Sequence, residues 1–451
     1  MHSSIDAGKQ DLTPCLPPGP SAPGPLQTLR WLARPAAMLE DCARRYGDMF
    51  TIRIAHEGIW VFVTDPEAVK QVFTGDPRLL HAGEANVVLL PLLGPQSVLL
   101  LDEDAHMAER KLMLPSFHGE RMRRYEDVMA EVAARTIEAW PAAARLSTWP
   151  FMQSVTLEVV MRTVLGVRDE ERLERLGAAL REPLAWGSEP SRMALMAVMG
   201  PHRISRLRSF RRVREPADAY LYDEIARGRA DPHLEERDDV LSLLLQARHQ
   251  DGSPMSDEEL RDELMTLLVA GHETTATALA WAIEALARHP RVLDRLRDEI
   301  DRGEDAYLDA VVKETLRLRP VVALVLRRLT APMEIGGRTL PAGVSVAPCI
   351  YLLHRRPDLY PEPRAFRPER FFERPAGTYT WIPFGGGVRR CLGASFAQFE
   401  MRVVLREIVA RLDLEPGSSR PERRVRRAIF FSPSRGGEVV VRRPEPAVVR
   451  R

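Results

Sequence analysis

The chain has 451 residues, 45% of them hydrophobic, and its 64 basic residues nearly balance 63 acidic ones for a formal net charge of +1. This composition supports a large core and excludes a disordered chain, and the charge balance gives no global support for nucleic-acid binding. The four cysteines, Cys15, Cys42, Cys349 and Cys391, form no CxxC pair and suggest no disulfide framework, which predicts a reducing, cytoplasmic setting.

In chain order, residues 1–25 are rich in Pro, Gly and Ser and read as an extended tail, and the length of the rest, 26–451, allows one large domain or two to three smaller ones. The N-terminal stretch has no apolar run long enough for a signal peptide or membrane anchor. A helix is expected near Trp31–Tyr46 and strands at Met49–Ile54 and Ile59–Thr64, with Asp65-Pro66 opening the next helix. His81–Leu101 is apolar but broken by Gly83, Pro91, Gly94 and Pro95, either a binding wall or a weakly patterned core segment. His106 and Arg110 then share one helix face. Helices are expected from Arg121 to about Leu180. Met193, Met196 and Met199 follow at helical spacing, as core or as an adaptable lid. The basic run over 203–214 reads as a solvated amphipathic helix.

Ser256 and Glu259 make a capping box, and the helix they open is expected to run to about His289, where Pro290 stops it. AGHETT lies in its middle. Ala270 and Gly271 are small enough for a flat group to pack against the backbone. Thr274 can bond back to a carbonyl, and Glu273 is an acid in apolar surroundings. An acid beside an alcohol suits controlled proton delivery. Glu314 and Arg317, three apart, can form a charge-assisted pair, and PERF follows with Arg370. Residues 321–350 read as strands and turns. A polar linker follows Leu414, and Ala428–Phe431 with Val439–Val441 read as a terminal hairpin.

The most informative stretch is FGGGVRRCLG, Phe384 to Gly393, immediately before an apolar helical pattern. A thiol at a helix N-terminus meets free N–H groups and the positive end of the dipole, which favours thiolate. Gly385, Gly386 and Gly387 allow a sharp turn and the close approach of a flat ligand. With no second Cys or His nearby, Cys391 does not suit zinc; it suits one axial bond to haem iron. The stretch resembles the cysteine-ligand loop of the cytochrome P-450 family at Phe384, Gly385, Gly387, Arg389, Cys391 and Gly393. The resemblance extends in order through HxxxR, AGxET, ExxR and PERF, over roughly residues 40–440.

The resemblance implies a mainly α, triangular cytochrome P-450 fold with a minor β-rich lobe, as one catalytic domain over 26–451. Its helical core would cover about 100–320 and 391–412, with β-rich parts at about 48–64, 321–350 and 428–442. It implies haem b held by Cys391, with His106, Arg110, Arg327 and Arg389 near the propionates and Arg328 competing with Arg327; His354 is placed loosely in the same region. Phe384, Gly385, Gly393, Ala270 and Gly271 would also border the haem. Thr274 would steady activated dioxygen and its waters while Glu273 relays protons, and His272 would face away. Glu314, Arg317 and Arg370 would be structural. Val87, Val98, Met196, Leu267, Val322, Leu326 and Phe430 would line an apolar pocket, implying a lipophilic substrate. The resemblance further implies O2 as co-substrate, electrons from a separate ferredoxin or flavodoxin with its reductase, and a monomer. Arg389, Arg390, Arg110, Lys111, Arg121, Arg123 and Arg124 would form the docking patch. The alternatives are a peroxide-driven haem-thiolate enzyme and a non-catalytic haem sensor.

Overall fold

A computed structural model describes residues 16–117, 121–141, 143–186 and 189–443. The central helix, Asp257–Arg288, starts at the expected capping box: the Ser256 side chain accepts from the Glu259 N–H, and Glu259 accepts from the Ser256 N–H. At 32 residues it is about 48 Å long. Leu260, Leu264, Leu268, Leu279, Ile283 and Leu286 along it are all fully buried, each contributing about 1.5–3 kcal/mol by leaving water. It packs against the helices Trp149–Val164 and Ala394–Arg411. Gly271 allows one of these contacts: a Cβ there would sit 3.2 Å from a Val160 methyl. The missing side chain at Gly271 thus serves helix–helix packing.

The β-rich lobe is a five-stranded sheet in the order Met49–Ile54, Gly58–Val63, Ser345–Pro348, Arg327–Leu329, Leu80–His81. The first pair is antiparallel, and Trp60 to Val63 run parallel to Ser345 to Pro348. This pairing carries Arg327 from a distant part of the chain to the segment ending at His81. As expected, Asp65 caps the next helix, accepting from the Ala68 N–H at 2.9 Å.

Several expectations need correction. The first helical region is two helices, Gly24–Ala33 and Pro35–Tyr46, because Pro35 cannot continue a helix through Arg34. Before them, the carbonyls of Pro17 and Pro18 accept from Thr51, so this part of the tail is pinned to the sheet; residues 1–15 lie outside the described set. The C-terminal hairpin has a different partner. Phe430–Pro433 pairs with Arg424–Arg427, inside the segment read as a linker, and Glu438–Arg442 lies between Ala143–Ser147 and Asp413–Pro416. Val439 and Val441 are fully buried, so that strand needs neighbours on both sides.

Candidate active site

The cysteine loop is held from behind by the ExxR helix, Ala306–Leu318. Glu314 and Arg317 are fully buried and paired twice, Nε to Oε2 at 2.7 Å and Nη2 to Oε1 at 2.8 Å. Arg370 adds a third guanidinium contact, Nε to Oε1 at 3.1 Å. Arg317 also donates to the carbonyls of His354, Pro363 and Ala365. His354 extends this lock to the loop, since the Ile382 N–H donates to its Nε2 at 2.9 Å. His354 is therefore a loop anchor and not a propionate neighbour. A single His in HRRPDLYPEP carries no motif, so the sequence offers no signal for this role.

Within the loop, the Cys391 N–H donates to the Phe384 carbonyl at 3.0 Å, and the Phe384 ring packs edge-on to Trp381. Gly385 and Gly387 have φ of +66° and +65°, a backbone region that glycine adopts without strain. A Cβ on Gly387 would lie 2.0 Å from the Phe73 carbonyl oxygen, and one on Gly386 would lie 2.2 Å from the Phe73 ring. These two glycines thus admit Phe73 rather than a ligand, which corrects that reading.

Cys391 is enclosed by protein atoms yet accessible to a small molecule, so it faces an internal recess. Ala270 is likewise exposed in the middle of the central helix. Burial pushes the free thiol pKa up, against the Gly393 N–H and the charges of Arg110 and Arg390. The thiolate expected from the helix terminus thus requires a further positive partner at the sulfur.

Four basic side chains converge next to this loop. Arg110, Arg327 and Arg389 all act on His106, and burial together with these charges pushes its pKa to about 3. Arg327 and Arg389 are each pushed down to about 10, mainly by burial. Their shared counter-ion is Asp102, which accepts from Arg389 Nη2 at 2.5 Å and from the backbone N–H groups of Gly83 and Glu84. Three arginines around one carboxylate leave an excess of buried positive charge, suited to an anionic ligand group. Asp102 was not singled out in the sequence, although Asp before a helix start is a readable capping signal. Arg328, by contrast, sits near the surface beside Glu84. Since Arg389 and Arg110 point inward to this cluster, they leave the docking patch; the Arg121 side chain lies outside the described set.

On the opposite wall, the Thr274 hydroxyl donates to the Ala270 carbonyl, as its position predicts. Glu273 turns toward the helix Trp149–Val164, where Gln153 Nε2 donates to Oε2 at 2.9 Å. Burial pushes the Glu273 pKa to about 7, opposed by Gln153 and by Arg427. Neither Gln153 nor Arg427 carries a signal in sequence, since Gln153 is a lone polar residue and Arg427 is one arginine of the run Arg423 to Arg427. His272 is buried, with Nδ1 3.0 Å from Thr156 Oγ1, and so lies away from Ala270.

The expected pocket residues divide. Val322 and Phe430 face each other across a backbone bridge, and Leu267 is half-buried beside the main core. Val325 rather than Leu326 faces the cysteine loop: it lies 3.6 Å from where a Gly385 Cβ would be, whereas Leu326 is buried with Trp60 and Phe62 in the N-terminal core. The alternation of an extended chain accounts for that exchange. Met196 and Met199 pack on Trp186, Ile204 and Phe210, a small separate core; the Met193 side chain lies outside the described set. Val87 is half-buried in a short helical turn, Glu84–Leu89. Val98 is buried in the main core and acts through its backbone, donating to Glu263 and accepting from Arg389.

Comparison with known proteins agrees with this geometry. The family model for Cytochrome P450 matches residues 17–441. Cytochrome P450 135B1 of Mycobacterium bovis is 46% identical over 438 residues, covering 95% of this chain and 91% of the relative. Cytochrome P450 135A1 of Mycobacterium tuberculosis is 39% identical, covering 95% of both chains. Among solved structures, the retinoic acid-bound cyanobacterial CYP120A1 superposes with a TM-score of 0.81 at 25% identity, over 95% of this chain and 99% of that one. The chain belongs to the cytochrome P450 family, the haem b-dependent monooxygenases. The residues present fit that cofactor: an accessible thiol, and beside it a set of guanidiniums that Asp102 compensates only in part, suit the iron and the two propionates of haem b. Among the described residues, no helix is long and apolar enough to cross a membrane.

Proposed function

We propose that this protein inserts one oxygen atom of O2 into a lipophilic small molecule, by hydroxylation or epoxidation, with electrons from a separate redox partner. The observation that carries this reading is Glu273: an acid with a pKa near 7, one residue from Thr274, on the helix whose exposed Ala270 borders the recess. Such an acid holds and releases a proton at neutral pH, which dioxygen chemistry needs and a simple haem sensor does not.

Haem b, when bound, supplies the oxidising power, and the protein supplies orientation, protons and exclusion of water. Cys391 would hold the iron from the proximal side, and His106, Arg110, Arg327 and Arg389 would hold the propionates. At pH 7 the Glu273 carboxyl is shared between protonated and ionised forms, and Gln153 keeps its Oε2 directed away from bulk water. The Thr274 hydroxyl, anchored on the Ala270 carbonyl, retains lone pairs to accept from a water or a substrate-side proton. Glu314, Arg317 and Arg370 act behind the loop as scaffold.

Apolar side chains at Leu267, Val322, Val325 and Phe430 support a lipophilic substrate. The solved relative that carries retinoic acid, itself mostly hydrocarbon, is consistent with that class. Exposed Lys111, Arg123, Arg124 and Arg390 support docking of an acidic ferredoxin or flavodoxin, although Arg124 shares its charge with Asp238. The test is the reduced carbon monoxide spectrum of wild type and Cys391→Ala, followed by oxygen uptake with a lipophilic library, reductase and ferredoxin. A red-shifted Soret band that depends on Cys391, with substrate-dependent oxygen uptake, is expected. Turnover with peroxide but not with reductase and O2 would replace this reading with the peroxide route.

A further inference from the structure

A second recess lies away from the cysteine loop and shares no residue with the cluster around His106. Its volume is about 180 Å³, and it is lined by Glu40, Leu318, Arg319, Arg355, Arg364 and Arg424. Four guanidiniums there face one carboxylate. Moreover, that carboxylate is already engaged: Glu40 Oε1 accepts from the Tyr351 hydroxyl at 2.5 Å, and Oε2 lies 3.5 Å from Arg364.

Arg364 is exposed at the mouth of the recess and pairs with Glu40, whereas the other three arginines are held in place by groups that bring no negative charge. Arg355 donates to the carbonyls of Tyr351 and Leu318 and lies 3.8 Å above the Tyr351 ring. Arg424 shares the Leu318 carbonyl at 3.4 Å, and its buried Nε has no partner among the described residues. Arg319 sits 4.7 Å over Trp281. The other nearby acids, Glu284 and Glu422, offset part of the Arg319 charge from a distance while their hydrogen bonds go to Arg288 and to Ser434 with the backbone N–H groups of Arg435 and Glu438. Burial and mutual repulsion push Arg319 down to about 10 and hold Arg355 well below its ordinary value. Guanidiniums that line one recess with a single carboxylate among them are stabilised by an oxyanion, since guanidinium forks bind phosphate in a bidentate manner.

We infer that the recess bounded by Arg319, Arg355, Arg364 and Arg424 is a binding site for a small polyanion of the phosphate class. Its volume suits a phosphate or pyrophosphate group and is below the roughly 300–1,000 Å³ of drug-sized sites. Glu40 limits the affinity and sets a requirement for more than one negative charge.

The test is calorimetric titration of the haem-loaded protein with inorganic phosphate, pyrophosphate and adenosine diphosphate at fixed ionic strength in chloride. Pyrophosphate is expected to bind one per chain and more tightly than phosphate. Arg424→Gln should weaken it about tenfold, the loss of one charge-assisted contact. Glu40→Gln, which keeps a hydrogen-bonding group for Tyr351 and removes the opposing charge, should tighten it several-fold. Equal affinity for pyrophosphate and adenosine diphosphate would assign the site to the free anion, and tighter diphosphate binding to a phosphorylated organic molecule. An unchanged reduced carbon monoxide spectrum verifies that each variant is folded. No heat with pyrophosphate at millimolar concentration, or wild-type affinity in both variants, overturns the inference.

Discussion

Replacing Glu314 by Gln tests how the cysteine loop is supported. The wild-type carboxylate accepts four hydrogen bonds: Arg317 Nε at 2.7 Å on Oε2, and Arg317 Nη2 at 2.8 Å, the Arg367 N–H at 2.8 Å and Arg370 Nε at 3.1 Å on Oε1. Glutamine keeps the shape but only one oxygen. With that oxygen in the Oε1 position, its NH2 group is forced against the Arg317 Nε–H, and two buried guanidiniums lose their counter-charge. Removing one partner of a buried pair costs about 3–5 kcal/mol. With a urea m-value of ~3 kcal/mol per M, the denaturation midpoint of the haem-loaded protein should fall by roughly 1–2 M. Far-UV circular dichroism and Soret absorbance would both follow it. Arg317→Met should cost more than Glu314→Gln, because it also strands the carbonyls of His354, Pro363 and Ala365. A loss below about 1 kcal/mol in Glu314→Gln, or the reverse order of the two variants, would refute this account of the lock.

Four further outcomes are expected. Gln153 lowers the Glu273 pKa, so Gln153→Leu should move the ionisation of Glu273 above about 7 and shift that limb of the turnover–pH profile to higher pH; an unmoved limb would separate Gln153 from the proton path. Arg327→Gln removes a buried cation from the His106 cluster and should weaken haem retention about tenfold or more, read by transfer of haem to an apo-globin acceptor. Gly387→Ala places a methyl 2.0 Å from the Phe73 carbonyl, and should abolish recovery of haem-loaded protein while Gly303→Ala, in the same left-handed backbone region but in open space, costs only that backbone strain and leaves recovery intact. Charge reversal at Arg123 and Arg124 should slow reduction by the redox partner and flatten its salt dependence in stopped-flow measurements; unchanged kinetics would remove them from the docking surface.

What the sequence made legible follows from which interactions are local. The capping box at Ser256 and Glu259, the Thr274 hydroxyl on the Ala270 carbonyl and the Glu314–Arg317 pair each span four residues or fewer, and all three are found where the spacing placed them. Partners brought together by sheet pairing or by packing were not legible. Glu438–Arg442 pairs with Ala143–Ser147, almost three hundred residues away, and the latter is too short and polar to announce itself as a strand. Gly387 read as a clearance for a ligand, but a glycine does not say what approaches it, and here the Phe73 carbonyl fills the space a side chain would take. Arg110 and Arg389 fitted both the propionate set and the docking patch, because the run of basic residues gives no hint that Asp102 draws Arg389 inward.

His354 joins two parts of the scaffold that lie far apart in the chain. Its Nε2 accepts from the Ile382 N–H, so the ring proton lies on Nδ1, and the imidazole must stay neutral to keep that bond. Burial, Arg317 and Arg355 hold its pKa well below the ordinary range, so mild acidification does not undo the contact. The segment leading into Phe384 is thereby tied to the ExxR helix through one imidazole and one guanidinium. A substitution at His354 would release the Ile382 N–H and reach Cys391 through the backbone of its loop, so a residue outside every motif governs where the thiol is held.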